Sequence, residues 1–150
     1  MTLRFRWAWL CGAMFLTGCA TNGGNLLSAH TRAEQDYHQG NLVGARKKYR
    51  LLVQAVPGNP LFWSRLGNCN ALLNHPHQAA DDYEHALTLN PQLATVRYNL
   101  AILHIKEARA QLITATTGTG LPPAVSAEIT RLLIALPRVQ TPTAPTISQS

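Results

Sequence analysis

From about Leu26 to Leu136 the apolar positions fall into six runs, each closed by glycine, proline or asparagine. The first covers about 26–38 and stops at Gly40-Asn41, where glycine suits the left-handed position that closes a helix. The second covers about 42–56, with Val43, Leu51, Leu52 and Val56 as its apolar contacts, and stops at Pro57-Gly58. The third, about 61–73, ends in Asn74-His75-Pro76, because Pro76 cannot continue a helix and biases the residue before it away from helical geometry. The fourth covers about 77–89 and is followed by Asn90-Pro91. The fifth, about 93–113, carries Val96, Leu100, Leu103 and Ala110 on one helical stripe. After a break at Thr116–Gly120, Pro122 or Pro123 sits well in the first turn of a sixth helix. Val125, Ile129, Leu132, Leu133 and Leu136 share one face of it, a stripe expected to bury against the open end of the stack.

The runs also repeat. Ala33, Ala45, Tyr49 and Pro57 recur as Gly67, Ala79, Tyr83 and Pro91, each 34 residues later. A period of this size signals a stack of helix pairs in which each unit buries its face on the next. Small side chains at Ala33, Gly67, Ala45, Ala79 and Ala86 let helix backbones approach. Trp63, Tyr49 and Tyr83 fill the space between them, each keeping its polar edge wet or bonded.

The pattern resembles the tetratricopeptide repeat. The better copy, 60–93, has Trp63, Leu66, Gly67, Ala79, Tyr83, Ala86 and Pro91 at the family's signature spacings. The copy 26–59 keeps Ala33, Gly40, Ala45, Tyr49 and Pro57, but has Ala29 at the Trp position and Leu52 where a small residue is usual. A degenerate third unit, 94–136, keeps Leu100 and Ala101, has Arg97 at the Trp position, and loses register in its second helix. The resemblance implies an all-α fold: a short tetratricopeptide-type solenoid of antiparallel helix pairs, about six helices in all, ending in a C-terminal capping helix.

Ahead of the repeats, Arg4 and Arg6 precede an unbroken apolar run from Trp7 to Leu16, which suits a secretory leader better than a bilayer-spanning helix. It ends in Leu16-Thr17-Gly18-Cys19, which resembles the lipobox of bacterial lipoprotein signals. That resemblance implies a signal peptide over 1–18, lipidation of Cys19 and a short tether over 19–25. Ala20, where an aspartate would signal retention at the inner membrane, implies the outer membrane, with the folded part facing the periplasm. Cys11 then leaves with the leader and Cys69 remains as a lone thiol, read as a small buried residue rather than half of a disulfide. Loss of Arg4 and Arg6 lowers the net charge from +6 to +4, too diffuse to argue for nucleic acid. The densest cluster, Arg46-Lys47-Lys48 with Arg50, reads as a solvated helix face, or more sharply as a contact for anionic headgroups or peptidoglycan. Residues 137–150, rich in Thr, Pro, Ser and Gln, are expected to form a disordered tail.

In the tetratricopeptide family the first helix of each unit lines a concave groove. Carried over by register, the candidates facing it are His30, Glu34, Tyr37 and His38, then Leu61, Ser64, Asn68, Ala71 and Leu72, then Tyr98, Ile102, Ile105 and Lys106. Such a surface, polar toward one end and apolar toward the other, suits an extended peptide or a partner helix. Each residue has the competing reading that it covers a neighbouring helix. Asn68 and Asn99 match two polar positions of the carboxylate-clamp type of repeat, but Ser64 stands where that clamp has a lysine, so its activity is not assigned.

His30, Glu34 and His38 share a helix face, yet no third histidine or cysteine stands at ligand spacing, so neither a metal nor a cofactor is expected. Nucleophile elbows, phosphate loops and paired carboxylates are missing from the sequence, and Asp81, Asp82 and Glu84 are read as acids complementing the dipole at the start of the fourth helix. The expected function is therefore non-enzymatic: a lipid-anchored periplasmic scaffold for a protein partner. Resemblance to tetratricopeptide lipoproteins of type IV and tight-adherence pilus assembly implies a part in assembling or localising a pilus or secretion complex. An adaptor for enzymes of peptidoglycan synthesis or hydrolysis is the alternative.

Overall fold

The computed structural model describes residues 22–117 and 120–136. The apolar leader, Cys19 and the tail from 137 lie outside the described residues. Six helices follow one another: α1 (Asn22–His38), α2 (Leu42–Ala55), α3 (Pro60–Leu72), α4 (Pro76–Leu89), α5 (Ala94–Thr116) and α6 (Pro123–Ala135). Each packs on the next in the chain, from α1 on α2 through to α5 on α6. The result is an all-α, tetratricopeptide-type solenoid.

Local chemistry sets the helix ends. The Asn41 side chain accepts from Gly44 N at 3.2 Å at the start of α2, and Asn59 accepts from Leu61 N at 2.9 Å at the start of α3, satisfying amides that the first turn leaves unpaired. Pro60 and Pro76 occupy the first helical positions of α3 and α4, where no N–H is needed. Pro76 thus begins the fourth helix as much as it stops the third. Gly40 and Asn74 stand 34 residues apart, and both close a first helix in the left-handed region, with φ of +77° and +61°. Asparagine is the residue other than glycine that tolerates this conformation most readily.

Several expectations are corrected. α1 begins at Asn22, so residues 22–25, read as tether, add a turn to the first helix. The first turn of α4 holds no acid. Asp82 lies deeper in that helix and is buried, so it does not serve the helix dipole.

The core is continuous along the stack. One cluster gathers Ala33, Tyr37, Ala45, Tyr49, Leu52 and Leu66 from α1, α2 and α3. A second gathers Ala71, Ala79, Tyr83, Ala86, Val96 and Leu103 from α3, α4 and α5. Trp63 packs against both and joins them. Tyr37, Tyr49 and Tyr83 are almost completely buried, each burial worth roughly 1.5–3 kcal/mol.

At the far end the apolar stripe of α6 is only partly covered. Ile129 is buried and Leu133 and Leu136 are half-buried, but Val125 and Leu132 are exposed. α6 packs mainly on α5, which runs well past the length of α4, so few side chains are on hand to cover it. Arg109 instead ties it down, donating to the carbonyls of Leu133 at 2.8 Å and Leu136 at 3.2 Å at the C-terminal end of α6.

Candidate partner-binding groove

The polar positions of the first helices repeat in register, and each builds a junction between neighbouring units. At the first junction Glu34 of α1 accepts from the Tyr49 hydroxyl of α2 and from Arg65 Nε of α3 at 2.8 Å. At the second, 34 residues on, Asn68 of α3 accepts from the Tyr83 hydroxyl of α4 at 2.7 Å and from Asn99 Nδ2 of α5 at 3.1 Å. An ionic bolt thus becomes a neutral one of the same geometry. The third member of the series is Ile102, buried at 5% exposure with no polar role. The row Glu34–Asn68–Ile102 runs from charged to polar to apolar along the stack.

A third correspondence links successive units from the turn side. Trp63 Nε1 donates to the Pro57 carbonyl at 2.7 Å, and Arg97 Nη2 donates to the Pro91 carbonyl at 2.5 Å. Arg97 departs from the repeat signature yet keeps the hydrogen bond that the tryptophan makes.

The electrostatics of the first junction follow from these partners. Burial pulls the Glu34 carboxyl upward, but the Tyr49 hydroxyl and the Arg65 guanidinium outweigh it and hold the carboxyl below its ordinary range. Burial first, and then the bond to Glu34, raise the Tyr49 hydroxyl, which therefore stays a donor. His38 Nε2 stands 3.3 Å from one Glu34 oxygen and His30 Nε2 3.6 Å from the other. His30 also packs against Phe62, with ring centroids 5.1 Å apart. Arg65 lies over the Tyr37 ring at 5.1 Å, a cation–π contact that holds the guanidinium in place.

The predicted groove residues divide accordingly. His30 and His38 come together on α1 around Glu34, which Arg65 also engages, and all are half-buried. Ser64, Asn68, Leu72, Ile105 and Lys106 are also half-buried, while Leu61 at 47% and Tyr98 at 60% are exposed. Tyr98 borders a shallow depression of about 530 Å³ with Pro91, Gln92, Ala94, Arg97 and Ala101. Tyr37, Ala71 and Ile102 are corrected from groove surface to core: they are buried at 1%, 7% and 5% exposure because α2, α4 and their neighbours close over that side of the first helices. Cys19 lies outside the described residues. Arg65 and the two tyrosine hydroxyls were missed as site groups, although the 34-residue spacing of Glu34 with Asn68 and of Arg65 with Asn99 carries them.

Among the described residues, no group of three or more His, Cys, Asp or Glu side chains is placed to hold a metal ion. Cys69 is buried, and burial pushes its thiol up to about 12, so it is not a reactive thiolate.

Repeated helix pairs joined in register by polar bolts define a short helical solenoid of the tetratricopeptide type. The sequence profile of the tetratricopeptide repeat matches residues 60–93. The chain is similar to the peroxisomal targeting signal receptor of Kluyveromyces lactis, with 36% identity over 72 residues, which are 45% of this chain and 13% of that protein. It is likewise similar to the peroxisomal targeting signal receptor of Candida glabrata, with 35% identity over 72 residues, 45% of this chain and 12% of that protein. The chain thus spans about an eighth of the length of these relatives. It carries a tetratricopeptide repeat, and its class is that of a protein–protein interaction scaffold.

Proposed function

We propose that this protein is a lipid-anchored scaffold that holds a segment of another protein along the first helices of its repeats. The observation that carries the reading is the exposure of Leu61 and Tyr98 on first helices that the Glu34 and Asn68 junctions hold in register. The inner polar groups are engaged in joining the units, so the rigid wall they form presents its outward side chains without having to order them on binding. Such a wall suits an extended peptide or one face of a helix. Both relatives are named as receptors for a targeting signal, and recognition of a segment of another protein is the use assigned here.

Leu16-Thr17-Gly18-Cys19 after the apolar run supports an acylated Cys19, and Ala20 in place of an aspartate supports a place at the outer membrane, facing the periplasm. Within that setting the narrower role is the assembly or localisation of a pilus or secretion complex, argued by analogy from lipoproteins of the same build.

One fractionation experiment tests both halves. Membranes are washed at high salt so that only the acyl anchor retains the protein, and tagged chains are then recovered with whatever they hold. Cys19→Ser is expected to move to the soluble fraction; unchanged sedimentation rules the anchor out. Tyr98→Ala is expected to stay on the membrane with unchanged helicity but to lose the bound protein. Equal recovery moves the site off this groove. Identification of the captured protein as a pilin, secretin or secretion ATPase supports the narrower role, and a peptidoglycan synthase or hydrolase replaces it with the cell-wall alternative.

A further inference from the structure

We propose that the outer face of α2 is a docking surface for an anionic lipid bilayer. α2 carries Arg46, Lys47, Lys48 and Arg50 and no acidic residue. Lys48 is engaged by Asp36 of α1. Arg46, Lys47 and Arg50 take part in none of the ion pairs among the described residues. On the same stripe Val43 and Leu51 stand out into solvent at 62% and 59% exposure, one helical repeat on either side of Lys47. With Gln54 these residues surround a shallow depression of about 400 Å³.

The opposite stripe of the helix, Ala45, Tyr49, Leu52 and Val53, is committed to the core, so the exposed apolar side chains are not there to build the fold. A surface helix ordinarily mixes charges of both signs, and one that carries cations alone around two apolar tips matches a plane of anionic headgroups over an acyl boundary. Each cation near such a surface raises partition about fivefold, and the apolar tips add a part that salt does not screen.

A second copy of the chain is a poor occupant, because an isologous contact through this face sets like charges against one another. A peptide already has the wall of first helices, and α2 is a second helix whose outer stripe points away from that wall. Cys19 plays no part in the inference, so it stands or falls separately from the acyl anchor.

The test uses the unacylated Cys19→Ser chain and equilibrium binding to two kinds of vesicle, pure phosphatidylcholine and equimolar phosphatidylcholine and phosphatidylglycerol. Preference for the anionic vesicles, weakening as salt rises, is expected. Lys47→Gln with Arg50→Gln should reduce anionic partition about 25-fold. Val43→Ser with Leu51→Ser should reduce the binding that survives high salt.

Arg32→Gln with Arg131→Gln removes the same charge from other exposed positions and should leave partition unchanged. Three results overturn the proposal: equal binding to both vesicles, an equal loss in the Arg32/Arg131 pair, or displacement by soluble polyglutamate at matched charge concentration. The last would assign the face to an acidic protein.

Discussion

Asp82 is an acid at a core position. It is 8% exposed in α4, and its Oδ2 accepts from Asn70 Nδ2 of α3 at 2.7 Å. Asn70 Oδ1, also buried, has no donor among the described residues. Burial, reinforced by Asp81, pushes the Asp82 carboxyl from 3.8 up to about 6, against the lowering effect of the Asn70 amide and Arg50. The native state therefore binds a proton more tightly than the unfolded chain. Through this group, stability is greatest below the unfolded value of 3.8, falls as pH rises from there to about 6, and is level above it. A difference of about two pKa units corresponds to about 3 kcal/mol. Glu34 works in the opposite sense, since its carboxyl is held low and loses stability as pH falls through its folded value. The comparison that isolates Asp82 is with Asp82→Asn, which supplies a permanent amide donor of nearly the same shape. Urea denaturation should find the variant more stable at neutral pH, with the advantage shrinking toward acid. Parallel curves for the two chains across that range would exclude a proton on Asp82.

At the scale of elements, the junction of α3 and α4 shows why the second unit is the better copy. A Cβ placed on Gly67 would lie 2.6 Å from Tyr83 Cδ1 and 3.3 Å from the Ala79 carbonyl, so glycine is what lets the two helices close on a buried ring. Gly67→Ala should destabilise the protein by about 1–3 kcal/mol, read as a lower thermal midpoint, because neither the ring nor the α4 backbone can retreat. An unchanged midpoint would show that the helices are free to separate. This contact was legible in the sequence, since a small residue and an aromatic at fixed spacings are the repeat's signature. The ends of α1, α2, α3 and α4 were legible from Gly40, Pro57, Pro76 and Pro91, because glycine admits the left-handed closing position and proline cannot continue a helix. The first turn of α1 was not, because Asn22-Gly23-Gly24-Asn25 has poor intrinsic helix propensity and reads as a tether. Nor was the role of Arg97, because a signature is written in residue types whereas the structure preserves a donor aimed at a carbonyl. The groove was legible only as a register. Which of its positions face outward depends on how far neighbouring helices close over them, and that took Tyr37 and Ile102 into the core.

Over the described residues, contacts run mainly between successive helices, with side-chain bonds reaching one helix further at the junctions, so stability should vary along the chain rather than stand at one value. α3 and α4 have neighbours on both sides and contribute to the shared Trp63 junction. α6 has essentially one neighbour, one buried residue and the two carbonyl bonds from Arg109. Amide hydrogen exchange should therefore be slowest in α3 and α4 and fastest in α6. Arg109→Ala removes a charged donor from two carbonyls at the end of α6, and bonds to charged groups are worth about 1.5–3 kcal/mol. Protection in α6 should then fall by roughly 10- to 100-fold. Protection in α3 and α4 should hold, because a nearest-neighbour stack passes little of the loss across two interfaces. An equal loss in all six helices would instead make the solenoid a single cooperative unit. In that case a partner bound along the first helices would stabilise α6 as much as α3, whereas a graded stack confines the effect to the units it touches.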